Sequence, residues 1–141
     1  MHYVRSLLFM AMAMLLLGCE EKFPVYSSFG EGNETFTPPC LHYAIYNPKD
    51  KAAVENALGI EDTPECEYRV ELTKYHVSNC DNPVVKSIGS DFDGYIRLEI
   101  KKGFICYYKV QSDYKSDADA AFSRILEQCK KELKWQKKLD K

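Results

Sequence analysis

The chain has 141 residues, with 19 basic and 21 acidic side chains for a net charge of −2 at pH 7. That length suits one domain with a modest core, and the near balance of charge gives nucleic acid no footprint to recognise. The imbalance that exists is local. From Glu20 to Glu67 the chain carries ten acids against three lysines, or −7, whereas Lys130 to Lys141 carries six lysines against Glu132 and Asp140, or +4. The basic end reads as the solvated face of a helix.

Met1 to Arg5 hold one positive charge and no acid, and Ser6 to Leu17 are almost wholly apolar. A charged start before a run of about a dozen apolar residues has the form of a secretory signal peptide. The run is shorter than the roughly 20 residues that span a bilayer. It ends in Leu16-Leu17-Gly18-Cys19, which resembles the lipobox of bacterial lipoproteins. The resemblance implies removal of residues 1–18 and lipidation of Cys19, and two or three acyl chains suffice for stable anchoring. Glu20 stands where an inner-membrane retention aspartate would be, so the resemblance points to the outer membrane and an oxidising periplasm. The likeness covers only these first residues; the remaining chain resembles no family.

Residues 19–39 read as a lipidated flexible tether, with Ser27-Ser28, Gly30, Gly32 and Pro38-Pro39 and no apolar period. As a coil it would reach roughly 25 Å. Asn33-Glu34-Thr35, with Glu31 before it, has the pattern of a glycosylation acceptor; chance accounts for so short a match as well. Residues 40–141 are expected to form a single disulfide-bearing α+β domain.

Leu41 to Tyr46 is a short β-rich run. Asn47-Pro48 caps and opens a short helix through Leu58, closed by Gly59. Tyr68, Val70 and Leu72 alternate as the buried side of a strand running to Val77, and Val84 to Ile88 reads as another short strand. Tyr95 to Gln111 is a hairpin. A three-residue loop at Lys101-Lys102-Gly103 pairs Leu98 with Cys106 and Ile96 with Tyr108. That register puts Tyr95, Arg97 and Glu99 on the outer face with Ile105, Tyr107 and Lys109. Ser116 with Asp119 starts a long helix whose stripe is Ala118, Phe122, Ile125, Leu126, Cys129 and Leu133. The expected fold is a small antiparallel sheet packed against this helix.

After Cys19 five cysteines remain, an odd number in an oxidising compartment. Cys106 and Cys129 share the expected core at matching heights, so they are expected to bridge. Cys40 with Cys66 is the second candidate, closing the short helix, and Cys80 is left over. A zinc site from Cys40, His42, His76 and Cys80 has no supporting spacing, and Asp91 to Gly94 fails as a calcium loop. No nucleophile-elbow, zincin or Cys-x-x-Cys motif occurs. No cofactor, metal or small-molecule ligand is implied, and no catalytic residue is assigned.

The function expected is a binding or scaffolding lipoprotein of the cell envelope, attached to membrane through its lipid and to another envelope protein through Tyr95, Arg97, Tyr107 and Lys109. An inhibitor or exclusion lipoprotein acting on a foreign enzyme or receptor is the alternative, and an envelope enzyme the next. An ordinary solvated sheet face explains the same outer residues.

Overall fold

The computed structural model describes residues 23–30, 35–77 and 92–133. Residues 1–18, Cys19, Asn33, Cys80, the strand expected at Val84 to Ile88 and the lysines from Lys134 onward lie outside the described residues. The fold is α+β. Five strands, β1 (Val25–Phe29), β2 (His42–Tyr43), β3 (Tyr68–His76), β4 (Gly94–Lys102) and β5 (Ile105–Tyr114), form one sheet in the order β1-β5-β4-β3-β2. Among the described residues two helices accompany them, α1 (Pro48–Leu58) and α2 (Ala118–Glu132). Among the described residues no helix is long and apolar enough to cross a membrane.

Strict alternation builds the sheet. Ile96, Leu98 and Ile100 of β4 and Tyr108, Val110 and Ser112 of β5 are buried on one face, while the residues between them are partly or fully exposed. Helix α2 covers the buried face with Ala121, Ile125 and Cys129, followed by Leu133. Helix α1 packs against α2 and adds Val54 and Leu58 to the core. The N-cap of α1 is Asn47, whose side chain accepts from the N–H groups of Lys49 and Asp50, and Gly59 ends the helix. Helix α2 is capped by Asp117, which accepts from Ala120 N–H, rather than by Ser116.

Four expectations are corrected. Val25 to Phe29, assigned to a flexible tether, is edge strand β1, paired antiparallel with β5 from Val25 opposite Ser112 to Phe29 opposite Tyr108. Val25 and Phe29 pack against the core on the helix side, and Ser27 donates to Glu132 of α2 at 2.6 Å. The sheet is mixed rather than purely antiparallel, because β2 runs parallel to β3.

The hairpin register also differs. The turn is Gly103-Phe104, with Lys102 opposite Ile105 and Lys101 opposite Cys106; Ile100 then faces Tyr108. Tyr107 is therefore an extra residue on β5, a β-bulge. One inserted residue reverses the sidedness of everything beyond it. Cys106 accordingly shares a face with Lys101, Glu99 and Lys109, whose charges act on its thiol, and looks away from Cys129 under α2. The expected Cys106–Cys129 bridge does not form, and both cysteines are free thiols.

Among the described residues the bridge present is Cys40–Cys66. It ties the chain entering β2 to the chain leading into β3, across 26 residues that include α1. In the chain-entropy account a loop of that length is stabilised by about 3.5 kcal/mol.

Candidate functional site

Both helices lie on one side of the sheet, and no described element covers the other. That open face carries Arg69, Glu71, Thr73 and Tyr75 of β3, Tyr95, Arg97, Glu99 and Lys101 of β4, Cys106, Lys109, Gln111 and Asp113 of β5, and Tyr26 and Ser28 of β1, as the register dictates.

Its centre is an ordered column. Tyr75 and Tyr95 sit opposite each other on β3 and β4, and their rings stack at 5.2 Å. The Arg97 guanidinium lies 4.8 Å over the Tyr95 ring, a cation–π contact. Arg97 Nε donates to Gln111 Oε1 at 2.9 Å, and Gln111 Nε2 donates to Asp113 Oδ1 at 3.0 Å. Each planar side chain is thus held by the next, which lowers the entropy lost when a partner binds.

Below this column Glu71 and Glu99 face each other across the β3–β4 ladder, a like-charge pair that is unfavourable alone. Lys101 Nζ reaches both, at 2.9 Å and 3.1 Å, and the Glu71 contact foremost raises its pKa. Of the four expected binding residues, Tyr95, Arg97 and Lys109 share this face. Arg97 sits opposite Gln111, Tyr95 opposite Asp113, and Lys109 opposite Glu99. Tyr107 does not join them. The bulge turns it away to pack with Phe36 at 5.0 Å and Tyr68 at 5.4 Å. Tyr75, Gln111 and Asp113 enter the site instead. Tyr75 was legible as an outward position of β3, and Gln111 and Asp113 follow Lys109 by alternation, whereas their placement opposite Arg97 and Tyr95 needed the turn and the bulge to be known.

The clusters on the helix side and at the edges hold the fold. Tyr108 Oη donates to Glu132 Oε2 at 2.7 Å, and Gln128 Nε2 donates to Glu132 Oε1 at 2.7 Å. Partial burial pushes the Glu132 carboxyl up, but the bonds from Ser27, Tyr108 and Gln128 outweigh it and leave the pKa low. Burial pushes the Cys129 thiol up to about 12, which makes it a packing group and not a nucleophile. At the β2 edge, Asp62 accepts from Tyr43 N–H at 3.0 Å and Lys51 Nζ at 2.5 Å, and His42 Nδ1 is 3.1 Å away. His42 and His76 lie apart: His76 is level with Gly94 at the far end of β3, beside Tyr114 Oη at 3.2 Å, and Cys40 is consumed by its disulfide. Among the described residues no cluster of three or more His, Cys, Asp or Glu side chains could hold a metal.

No family model matches the chain, and no curated protein or solved structure matches it.

Proposed function

We propose that this protein is a lipid-anchored component of the bacterial cell envelope, most simply of the outer membrane, and that its domain binds another envelope protein through the open face of the sheet. One observation carries the binding half of this reading: the Tyr75–Tyr95–Arg97 column, with Gln111 and Asp113 locked beside it on a face no described helix covers. Tyrosine and arginine supply large contact areas with few rotamers to freeze, and they recur as the energetic centres of protein interfaces. The anchoring half rests on the lipobox-like Leu16 to Cys19. An arrangement that acts by binding asks nothing of the free thiols or the histidines.

Recovery of partners from crosslinked envelopes tests the face. Tyr95→Ala with Arg97→Ser should cut recovery of a stoichiometric partner by about tenfold, the loss of a single strong contact, with circular dichroism unchanged. Undiminished recovery returns the face to ordinary solvated sheet. Cys19→Ser should abolish palmitate labelling and release the protein from membranes; labelling that persists sinks the anchor.

A further inference from the structure

On the open face of the sheet the acids are occupied and most of the bases are not. Its strands carry four cations, Arg69, Arg97, Lys101 and Lys109, against three acids, Glu71, Glu99 and Asp113, a net of +1. Asp93 and Lys115, just beyond the ends of β4 and β5, cancel. Each acid is already bonded within the face. Lys101 Nζ holds Glu71 and Glu99, and Gln111 Nε2 donates to Asp113. Arg69 and Lys109 are exposed, and among the described residues their side chains make no ion pair or hydrogen bond. Arg97 donates only through Nε, to Gln111, while the Tyr95 ring holds its plane. Its two terminal nitrogens are left as an oriented fork.

These three cations are spread across the face. Lys109 precedes Gln111, the residue opposite Arg97, by two positions, and Arg69 faces Lys101, four positions beyond Arg97. The α-carbons of Lys109 and Arg69 therefore lie about 8 Å and about 14 Å from that of Arg97, on opposite sides of β4. We infer that the partner of this face presents protein carboxylates, one seated end-on against the Arg97 fork and others against Lys109 and Arg69, around the Tyr75–Tyr95 column. The inference rests on the binding of an envelope protein proposed above and names the chemistry which that protein brings.

A guanidinium takes a carboxylate through two parallel bonds, so it selects orientation as well as charge. Because Tyr95 and Gln111 already hold Arg97, little freedom is lost when such a group docks. Interleaving of the charges favours a protein over an anionic bilayer. A headgroup surface is negative throughout and would press on Glu71, Glu99 and Asp113 as much as on the cations, and a net of +1 gives it little attraction. A protein can set carboxylates against the three free cations and apolar groups or donors against the rest, which is how complementary surfaces fix register.

Position gives the same answer where Cys19 is the anchor. The chain from Cys19 joins the sheet at Val25, at one end of its strands, opposite Ser112. A sheet held by the end of its strands turns its open face sideways, along the membrane and not into it.

A water-soluble carbodiimide tests the inference, because it joins a carboxylate to an amine in direct contact and carries off the water as a urea. Lys109 has such an amine, and Arg97→Lys supplies one at the fork. Photoreactive benzoylphenylalanine at position 73, which faces Arg97 from β3, separately reports whether any protein covers the face. In envelopes of the native host carrying the full chain, carbodiimide should link Lys109 to an Asp or Glu of one partner protein. Arg97→Lys should add a second link, from position 97 to a carboxylate of the same protein. Arg97→Gln should cut the photoadduct at 73 about tenfold, the loss of one charge-assisted pair. A photoadduct that Arg97→Gln leaves undiminished, or links that run only to the chain's own Glu71 or Glu99, overturns the carboxylate inference while the binding face stands. Absence of both photoadduct and link overturns the two together. A Cys19→Ser chain that sediments with anionic phospholipid vesicles, and no longer does so with Arg97→Gln added, makes lipid the occupant and overturns the inference as well.

Discussion

Asp62 shows how one carboxylate joins three segments of the fold. Burial pushes its pKa up, but Lys51, the Tyr43 N–H and His42 all favour the charged form and hold it at about 2. A folded-state pKa below that of an unfolded aspartate, about 3.9, gives stability that is complete above about pH 4 and is lost as pH falls through about 2. Asp62→Asn should therefore cost about 1–3 kcal/mol at pH 6, and much less at pH 2. Urea unfolding at both values reads the difference, and an equal gap at both would show that charge is not what Asp62 supplies. Gly94 illustrates a steric constraint instead. A Cβ there would lie 2.0 Å from the Tyr75 carbonyl oxygen and 2.6 Å from Tyr114 Oη, whereas at Gly59 nothing lies within 4 Å. Gly94→Ala should cost about 3 kcal/mol, against about 1–2 kcal/mol for Gly59→Ala, where only the left-handed backbone resists. Equal urea midpoints for the two variants would contradict that close approach.

At the scale of elements, locally determined features were legible and non-local ones were not. Asn47-Pro48 and Gly59 bound α1 because caps act within a few residues, and the α2 stripe follows from helical period alone. Strand β3 is where alternation puts it. Strand β1 was hidden because Ser27-Ser28 and the glycines and prolines that follow masked the strand formers Val25, Tyr26 and Phe29; its order comes from pairing with β5, some 80 residues away in sequence. The bulge was hidden for a related reason. Alternation put Tyr108 inward, where it is buried, but nothing local showed that Tyr107 would leave the open face for Phe36 and Tyr68. That single residue moves Cys106 to the open face, and with the tighter turn it sets Gln111 opposite Arg97 and Asp113 opposite Tyr95. Its consequence is measurable by thiol labelling. Maleimide at neutral pH should modify Cys106 in the native protein and reach Cys129 only in denaturant, because Cys129 is fully buried and burial pushes its thiol up to about 12. Peptide mapping should recover Cys40 joined to Cys66 in the unreduced protein. A peptide joining Cys106 to Cys129 would overturn the bulged register.

For the whole molecule, ordering β1 changes how an anchored domain would stand. A coil from residue 19 to 39 would let the domain drift in any attitude. With the sheet beginning at Val25, only residues 20–24 separate it from Cys19, and five extended residues span at most roughly 17 Å. That is shorter than the roughly 25 Å from the level of Ser112 to the tip at Phe104. The Gly94, Tyr114 and His76 end of the sheet, where Val25 enters, should therefore face the lipid, and Phe104 should face away. The loop at Ser116 belongs to the near end, because it leaves β5 just past Tyr114. A clickable residue carrying a fluorophore at position 116 or 104, in lipidated protein reconstituted into vesicles with nitroxide-labelled headgroups, measures the two heights. Position 116 should be quenched strongly and position 104 little. Inserting about twelve Gly/Ser residues after Glu21 should erase most of the difference, since the longer coil restores free tumbling. Equal quenching with the natural spacing would mean that the domain lies flat and that the short link to Val25 does not set its attitude.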